Sequence, residues 1–217
     1  QYIRVRFEPT RRGEGCGGGA RVSGGPDSRE QIMRAAFAAL ATHGYADLTV
    51  ARIADEFAKS KSLLYYHYDA KDDILRSLLD YATDQFLATL DAESTDDPAA
   101  NLREFVDQLL PECPGEDVLT GRRVILELRG EAVGNPDFRA TFTAMDDRLR
   151  DRVIAEIEAG VERGQFAVAD PETAATELTM LLNGALLESA TTDHDITEQA
   201  RATLHARIDA LAEGPNE

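Results

Sequence analysis

The chain has 217 residues, of which 43% are hydrophobic, a formal net charge of −17 and two cysteines. This length can bury a sizeable core in one large or two small domains, and two isolated cysteines argue against a disulfide scaffold or a zinc site. The chain lacks an apolar run of about eighteen residues and a secretory signal, so we expect a cytoplasmic protein with no membrane partner.

The first segment, residues 1–27, is poor in apolar residues and rich in glycine. This composition predicts a disordered segment, or one extraneous to the fold. The alternative is a basic arm whose arginines follow a minor groove of DNA.

A first amphipathic helix is predicted from Ser28 to His43. Ser28 and Gln31 have the spacing of a capping box, and Gly44 is typical of the residue that ends a helix. We expect Tyr45 and Leu48, which follow, to pack beneath the next two helices.

Residues 48–68 predict two short helices joined by a tight turn. Thr49 is a good N-cap, and apolar residues follow it at helical spacing as far as Phe57. The pattern breaks at residues 59–62, and a second short helix, Lys61 to His67, directs Leu64 toward a core. Its other side chains are polar or aromatic, which is the layout of a helix-turn-helix that reads DNA.

Four motifs in this region have a common spacing: T-V-x-x-I-A from Thr49, the turn at residues 59–61, L-Y-Y-H-Y from Leu64 and K-x-x-I-L from Lys71. Together they resemble the DNA-binding signature of the tetracycline-repressor (TetR, AcrR-like) family of regulators. Ala58 and Lys59 depart from it, since the family usually has glycine and an apolar residue there. The resemblance implies an all-α fold of about nine helices, with a three-helix head at 28–73 on a larger helical body at 74–217.

A reading helix needs several side chains that reach base edges and neighbours that contact phosphates. Lys61, Ser62 and Tyr65 are predicted for the bases, and the start of the helix at Lys71 for a phosphate, because free N–H groups there attract anions. Tyr68 is expected in the core. Any one of the others alone could be plain solvated surface, and Tyr65 could be partly core. The predicted DNA-binding residues are Thr49, Arg52, Ser60, Lys61, Ser62, Tyr65, Tyr66, His67 and Lys71.

Behind this region the sequence predicts helices only. A long connector is expected from Lys71 to about Glu93. Further helices are predicted at approximately 98–110, 117–133, 136–163, 171–191 and 196–212, separated by proline and glycine breaks.

The helix at 171–191 is apolar nearly all round, which requires burial on more than one side. The resemblance implies that it and the last helix pair with their copies in a second subunit; the alternative is the core of a monomer. A two-fold dimer would match a palindromic operator in double-stranded DNA. The predicted interface residues are Leu178, Leu181, Leu182, Ala185 and Leu186.

Regulation in this family generally involves a small apolar or amphipathic ligand in the helical body, which shifts the population of states. For the residues selected here, ordinary core packing is the alternative. The predicted lining residues are Phe86, Phe105, Leu109, Leu126, Phe138, Phe142 and Met145.

The charge also divides the chain. Residues 26–72 carry six basic and seven acidic side chains, whereas residues 73–217 carry twelve basic and thirty-one acidic ones. A near-neutral head on an acidic body is typical of a protein that meets phosphate through one end. Only three basic residues are lysines, which indicates a salt-loving host, such as a haloarchaeon, or high-GC codon usage on an ordinary acidic surface.

The four histidines have no ligand spacing, and the chain contains no nucleophilic triad or phosphate-binding loop. We therefore expect no catalytic residues, metal or cofactor. The sequence predicts a dimeric repressor that a small molecule releases from its operator. The alternatives are an activator, or a helical ligand-binding or interaction protein that has lost DNA binding.

Overall fold

The computed structural model describes residues 28–57 and 61–213, except the side chains of Lys61 and Leu63. Within those ranges all regular structure is helical, which confirms the all-α prediction, and no helix there is long and apolar enough to cross a membrane. We call α1–α3 the head and α4–α9 the body. The helices are α1 Ser28–Asp47, α2 Val50–Glu56, α3 Lys61–His67, α4 Lys71–Glu93, α5 Pro98–Leu109, α6 Glu116–Glu131, α7 Pro136–Glu162, α8 Pro171–Thr191 and α9 Thr197–Asp209.

Polar caps fix the starts of four helices, because each cap side chain accepts a backbone N–H of the first turn. Three of these helices also have proline in the first turn, where no N–H is needed. At the start of α8, the side-chain hydrogen bond from Thr173 also holds the pKa of Asp170 below its usual value. The caps are Thr49 for α2, Asp97 for α5, Asn135 for α7 and Asp170 for α8.

Gly44 kinks the first helix where the sequence predicts its end. Its φ is 70° and its ψ 164°, and the chain continues for one more turn to Asp47. A Cβ at this position would lie 3.0 Å from Oε1 of Glu127. Glycine therefore suits both the backbone conformation and the close approach of the body.

The first hydrophobic core joins the head to the near end of the body. It contains the apolar faces of α1–α3 and the first half of α4, and it also includes Phe138 and Phe142 of α7. The predicted division at residue 73 therefore does not coincide with a gap in the packing. Phe138 is fully buried and Phe142 nearly so, and both rings pack in this core. Their predicted place in a ligand pocket stays a prediction.

The second core lies at the far end of the body, between α5, α7, α8, α9 and the second half of α4. Leu178, Leu182 and Ala185 of α8 are buried in it. These three are therefore wrongly predicted for the subunit interface, because their side chains face the core of their own subunit. Phe86 is buried there too, edge-on to Phe105 with ring centroids 5.8 Å apart.

Candidate nucleic-acid interface

The buried side chain of Leu64 anchors α3 to the head. Leu64 is fully buried in the first core, where Ile53 and Ala54 of α2 also lie. Thr49 caps α2, accepting the backbone N–H of Arg52 on its hydroxyl oxygen at 3.2 Å. Ser62 and residues 65–67 of this short helix are exposed.

The outward side of α3 carries four exposed residues, Ser62, Tyr65, Tyr66 and His67, which we call the reading surface. Tyr65 is 54% exposed and Tyr66 82%. The rings of Tyr66 and His67 meet edge-to-face, with centroids 5.1 Å apart. Large aromatic side chains left in water contribute little to folding, and phenol and imidazole groups can donate hydrogen bonds to phosphates or base edges.

Tyr68 differs from these tyrosines, because it is half-buried and packs against the first core, which confirms its predicted place. Thr49 and Arg52 of α2 are exposed on the head. The guanidinium of Arg52 donates to the backbone oxygen of Asp47. This hydrogen bond holds the guanidinium against the head. Ser60 and the side chain of Lys61 lie outside the described residues, and their DNA contacts stay predictions.

Lys71 has an internal role that the sequence does not reveal. Its Nζ donates to the backbone oxygen of Tyr45 at 2.7 Å and lies 4.0 Å from the centroid of the same ring. Asp73 caps the start of α4 by accepting the N–H of Ala70 at 3.2 Å, and Asp72 adds a second carboxylate to that turn. These two carboxylates make the first turn of α4 less attractive to a phosphate. The predicted DNA contact of Lys71 stays a prediction.

Tyr45 is the centre of a polar contact between the head and the body. Its backbone N–H donates to Oε1 of Glu127 on α6 at 2.5 Å, and its hydroxyl donates to Oδ1 of Asp72 at 3.0 Å. Nδ2 of Asn135 donates to the other oxygen of Asp72 at 3.4 Å. Burial first, and then the hydrogen bond to Asp72, raise the pKa of Tyr45 to about 12.

We call this set (Tyr45, Lys71, Asp72, Glu127 and Asn135) the head–body joint. The sequence predicts Tyr45 beneath α2 and α3; instead its ring packs edge-on against Phe138 of α7, with centroids 5.9 Å apart. The joint ties the end of α1 to three elements of the body at once. Its residues therefore fix the direction in which the head presents α3.

A cavity of about 270 Å³ lies between α6, α7 and α8, and a second lobe of about 280 Å³ adjoins it toward α5. Of the predicted lining residues, Leu126 and Met145 line the first lobe, and Phe105 and Leu109 the second. Phe86 lines neither lobe and packs in the second core, so its predicted place in a ligand pocket stays a prediction. Both lobes share Asp146, Leu149, Asn183 and Leu186.

The cavity wall includes charged side chains that the sequence reading missed. Arg129 binds both carboxylate oxygens of Asp146, at 2.9 and 2.7 Å, and its guanidinium lies 4.5 Å from the ring centroid of Phe142. Arg122 is only 4% exposed and donates from Nη2 to the backbone oxygen of Leu109 at 2.9 Å. Amphipathic spacing in a sequence marks apolar faces, and so it does not select arginines.

The side of α8 opposite its buried face is also apolar. Met180 and Leu187 are 69% and 53% exposed, and Gly184 lies between them at helical spacing. We call these three residues the outer stripe; it also borders the cavity, since Gly184 and Leu187 line the first lobe and Met180 the second. Of the predicted interface residues, Leu181 lies beside this stripe and is exposed, and Leu186 is half-buried at the cavity.

In the described part of the chain, no cluster of histidine, cysteine and acidic side chains could hold a metal ion.

Two family models match the chain. Residues 32–78 match the bacterial regulatory proteins of the tetR family, and residues 98–213 match the C-terminal part of BetI-type transcriptional repressors. The chain belongs to the TetR family. It is a DNA-binding transcriptional regulator and not an enzyme.

Curated relatives and solved structures extend this match over most of the chain. The regulator BetI of Stenotrophomonas maltophilia is 27% identical over 75% of this chain and 83% of its own. The repressor AcnR of Corynebacterium glutamicum is 25% identical over 76% and 83%. A TetR regulator of Haloarcula marismortui is 35% identical, with a TM-score of 0.76 over 85% of this chain and 98% of its own.

A regulator of Saccharomonospora viridis, solved in complex with choline, is 26% identical, with a TM-score of 0.71 over 84% of this chain and 95% of its own.

Proposed function

We propose that this TetR-family regulator is a homodimeric repressor that binds a palindromic operator through α3 and leaves it when a small molecule occupies the cavity of the body. The reading surface carries this proposal, because it exposes two tyrosines beside Ser62 and His67 on a helix anchored by the buried Leu64. Repression is supported by the match of residues 98–213 to BetI-type repressors and by the similarity to AcnR.

The outer stripe of α8 supports the dimer. A lone subunit leaves Met180 and Leu187 in water, whereas a second copy would bury them. A Cβ at Gly184 would have no atom within 4 Å, so the stripe has room for a close helix–helix contact. A two-fold pair of heads also suits DNA, because α3 has only seven residues and one such helix reads few bases.

Ligand control is supported by the position of α6. Leu126 and Arg129 line the cavity, while Glu127 between them holds the N–H of Tyr45 in the head. A ligand that displaces this turn of α6 would therefore also displace the joint. The similar regulator of Saccharomonospora viridis was solved with a small molecule, choline.

Its place of action is the cytoplasm, where its DNA lies. The acidic, lysine-poor composition and the similarity to the Haloarcula marismortui regulator support a host with a salty cytoplasm. At about 1 M salt the Debye length falls to ~3 Å, so hydrogen bonds and fit at the reading surface would supply most of the affinity.

The test is binding of a fluorescent duplex from the protein's own upstream intergenic region, by anisotropy at 0.2 M and 2 M KCl. We expect clear preference over a scrambled duplex of the same composition, with two chains per duplex. Equal affinity for both duplexes at both salt concentrations would overturn the proposal in favour of a protein that has lost DNA binding. Binding to the intergenic duplex that raises transcription in vitro would instead identify an activator.

Sedimentation tests the dimer separately. We expect Leu187→Glu to yield monomers, because a carboxylate would be buried between the two outer stripes. Leu119→Glu is the matched control, since Leu119 is similarly exposed but lies near the start of α6. A wild-type protein that sediments as a monomer would remove the dimer from the proposal.

A further inference from the structure

The charged residues that line the cavity are mostly basic, although the surrounding body is strongly acidic. Residues 73–217 carry thirty-one acidic and twelve basic side chains. In contrast, the charged residues of the two lobes are Arg122, Arg129, Arg150 and a single acid, Asp146. The ratio of charges is therefore inverted along these two lobes, although Arg129 pairs with Asp146 and Arg150 with Asp147.

The single acid is already engaged by the protein. Both carboxylate oxygens of Asp146 accept hydrogen bonds from Arg129, at 2.9 and 2.7 Å. Such a two-pronged pair is strong and geometrically specific. A cationic ligand would have to compete with Arg129 for this carboxylate.

Arg122 places a permanent positive charge at the wall of the first lobe. Its residue is 4% exposed, and the hydrogen bond to the backbone oxygen of Leu109 holds its guanidinium at the junction of α5 and α6. Arginine stays charged at any ordinary pH and has five N–H donors. Because Arg122 is nearly buried, its charge is screened less by water than that of an exposed arginine.

The lining of the first lobe does not suit a quaternary ammonium group. Such cations are usually bound by the faces of aromatic rings, and no aromatic residue lines this lobe. The ring of Phe142 has the guanidinium of Arg129 at 4.5 Å from its centroid, and Phe105 lines the second lobe only. The rest of the wall is mainly aliphatic: Ile125, Leu126, Met145, Leu149, Leu186 and Leu187.

We infer that the cavity binds an amphipathic anion, with an aliphatic portion against α6, α7 and α8 and a carboxylate-like group toward Arg122. This inference deepens the proposed function and rests on it for the regulatory effect, though not for the binding itself. The first lobe alone, about 270 Å³, holds a chain of several carbons, and the second lobe extends it.

The test uses three probes with the same ten-carbon chain and different head groups: decanoate, decyltrimethylammonium and 1-decanol. Each is titrated into the full-length protein by calorimetry, below its micellar concentration. We expect decanoate to bind at least tenfold more tightly than either of the others. Equal or tighter binding of decyltrimethylammonium or 1-decanol, or no binding of decanoate, would overturn the inference.

Substitutions test whether Arg122 supplies the charge that binds the anion. Arg122→Met removes the charge at similar volume, so decanoate should bind at least tenfold more weakly while 1-decanol binds as before. Arg123→Met is the matched control, because Arg123 is the next residue of α6 but is exposed and does not line the cavity. An equal effect of the two substitutions would contradict the assignment.

Asp146→Asn provides a second route if Arg122→Met does not fold. It removes the one acid of the wall and releases Arg129, so decanoate should bind several-fold more tightly and decyltrimethylammonium more weakly. Unchanged affinities would contradict the proposed electrostatics.

Operator binding in the same samples separates the two proposals. Decanoate that binds as expected without releasing the duplex would support the site and overturn the proposed release. If the protein binds the duplex normally but does not bind decanoate, the inference about the cavity is overturned. The proposal that the protein is a repressor is then unaffected.

Discussion

The two sides of the head differ in how they use their tyrosines. On the reading surface, Tyr65 and Tyr66 hold most of their rings in water. At the head–body joint, the N–H, the backbone oxygen and the hydroxyl of Tyr45 are all hydrogen-bonded, and its ring packs on Phe138. The first side leaves groups available to another molecule and gains little stability from them; the second stabilises the fold and sets the direction of α3.

The largest expected effect is at the joint's apolar support. Phe138→Ala should lower the free energy of unfolding by about 3–5 kcal/mol, because it empties a fully buried ring position beneath Tyr45. Urea unfolding measures this loss. Val133→Ala, at an exposed site just before α7, should change stability by less than about 0.5 kcal/mol. Equal effects would contradict the role of Phe138 in this core.

The reading surface should respond in the opposite way. Tyr65→Ala is expected to weaken operator binding by about 1–3 kcal/mol, through lost contacts to DNA. Its stability should stay within about 0.5 kcal/mol of wild type, because the ring is mostly exposed. Anisotropy and urea unfolding on the same preparation measure both. A variant that binds the operator normally would exclude Tyr65 from the interface.

Glu127 should affect both properties. Glu127→Ala removes the acceptor of the Tyr45 N–H, at a cost to stability of about 1–3 kcal/mol. Operator affinity should fall by more than the unfolded fraction explains, because the head loses a contact that orients it. Glu127→Gln keeps an acceptor oxygen and serves as the control, with a smaller loss on both measurements. Normal operator affinity in Glu127→Ala would show that the joint does not orient the head.

The smallest expected effect is a loss of stability at alkaline pH, and it comes from Tyr45 in the head–body joint. The folded pKa of Tyr45 is about 12, whereas that of an unfolded tyrosine is about 10. Between these values the unfolded chain releases the proton first, so the free energy of unfolding falls as pH rises from 10 to 12. Below pH 10 both forms keep the proton, and Tyr45 adds no pH dependence.

Tyr45→Phe should lack this contribution, so its stability should fall less steeply than that of wild type in the same window. At pH 8 it should lose about 1 kcal/mol, for the hydrogen bond to Asp72. Parallel slopes for both proteins above pH 10 would show that Tyr45 ionises normally. Thermal melts in matched buffers at pH 8, 10, 11 and 12 supply the comparison.

The sequence predicted the reading surface better than the joint because the signals of the former are local. The cap at Thr49, the buried Leu64 and the exposed aromatic side chains all follow from helical spacing over about twenty residues. The joint depends on Glu127, which lies 82 residues from Tyr45. The local sequence around either residue does not indicate that the two are in contact.

The body shows a second limit. The all-round apolar α8 predicts burial on more than one side, whereas a single subunit buries one side and leaves Met180 and Leu187 exposed. Periodicity does not say which side faces the core. Of the rings predicted for the ligand pocket, Phe105 lines the second lobe, whereas Phe86 and Phe138 pack in the two cores. The cavity lies where arginines and aliphatic side chains meet, and an unfilled volume has no signature in a sequence.

Helix α4 runs through both hydrophobic cores: Ile74 and Leu75 belong to the first, and Phe86 and Leu90 to the second. Its 23 residues span about 34 Å at the usual rise of an α-helix. A rigid rod of that length acts as a lever. Tilting it by about 6° moves its tip by roughly 3.5 Å, which is close to the rise of one base pair along a duplex. A rearrangement in the second core could thus be too small to disturb its packing and still move the two heads of a dimer. Each head would then be displaced by about one base pair from its half-site.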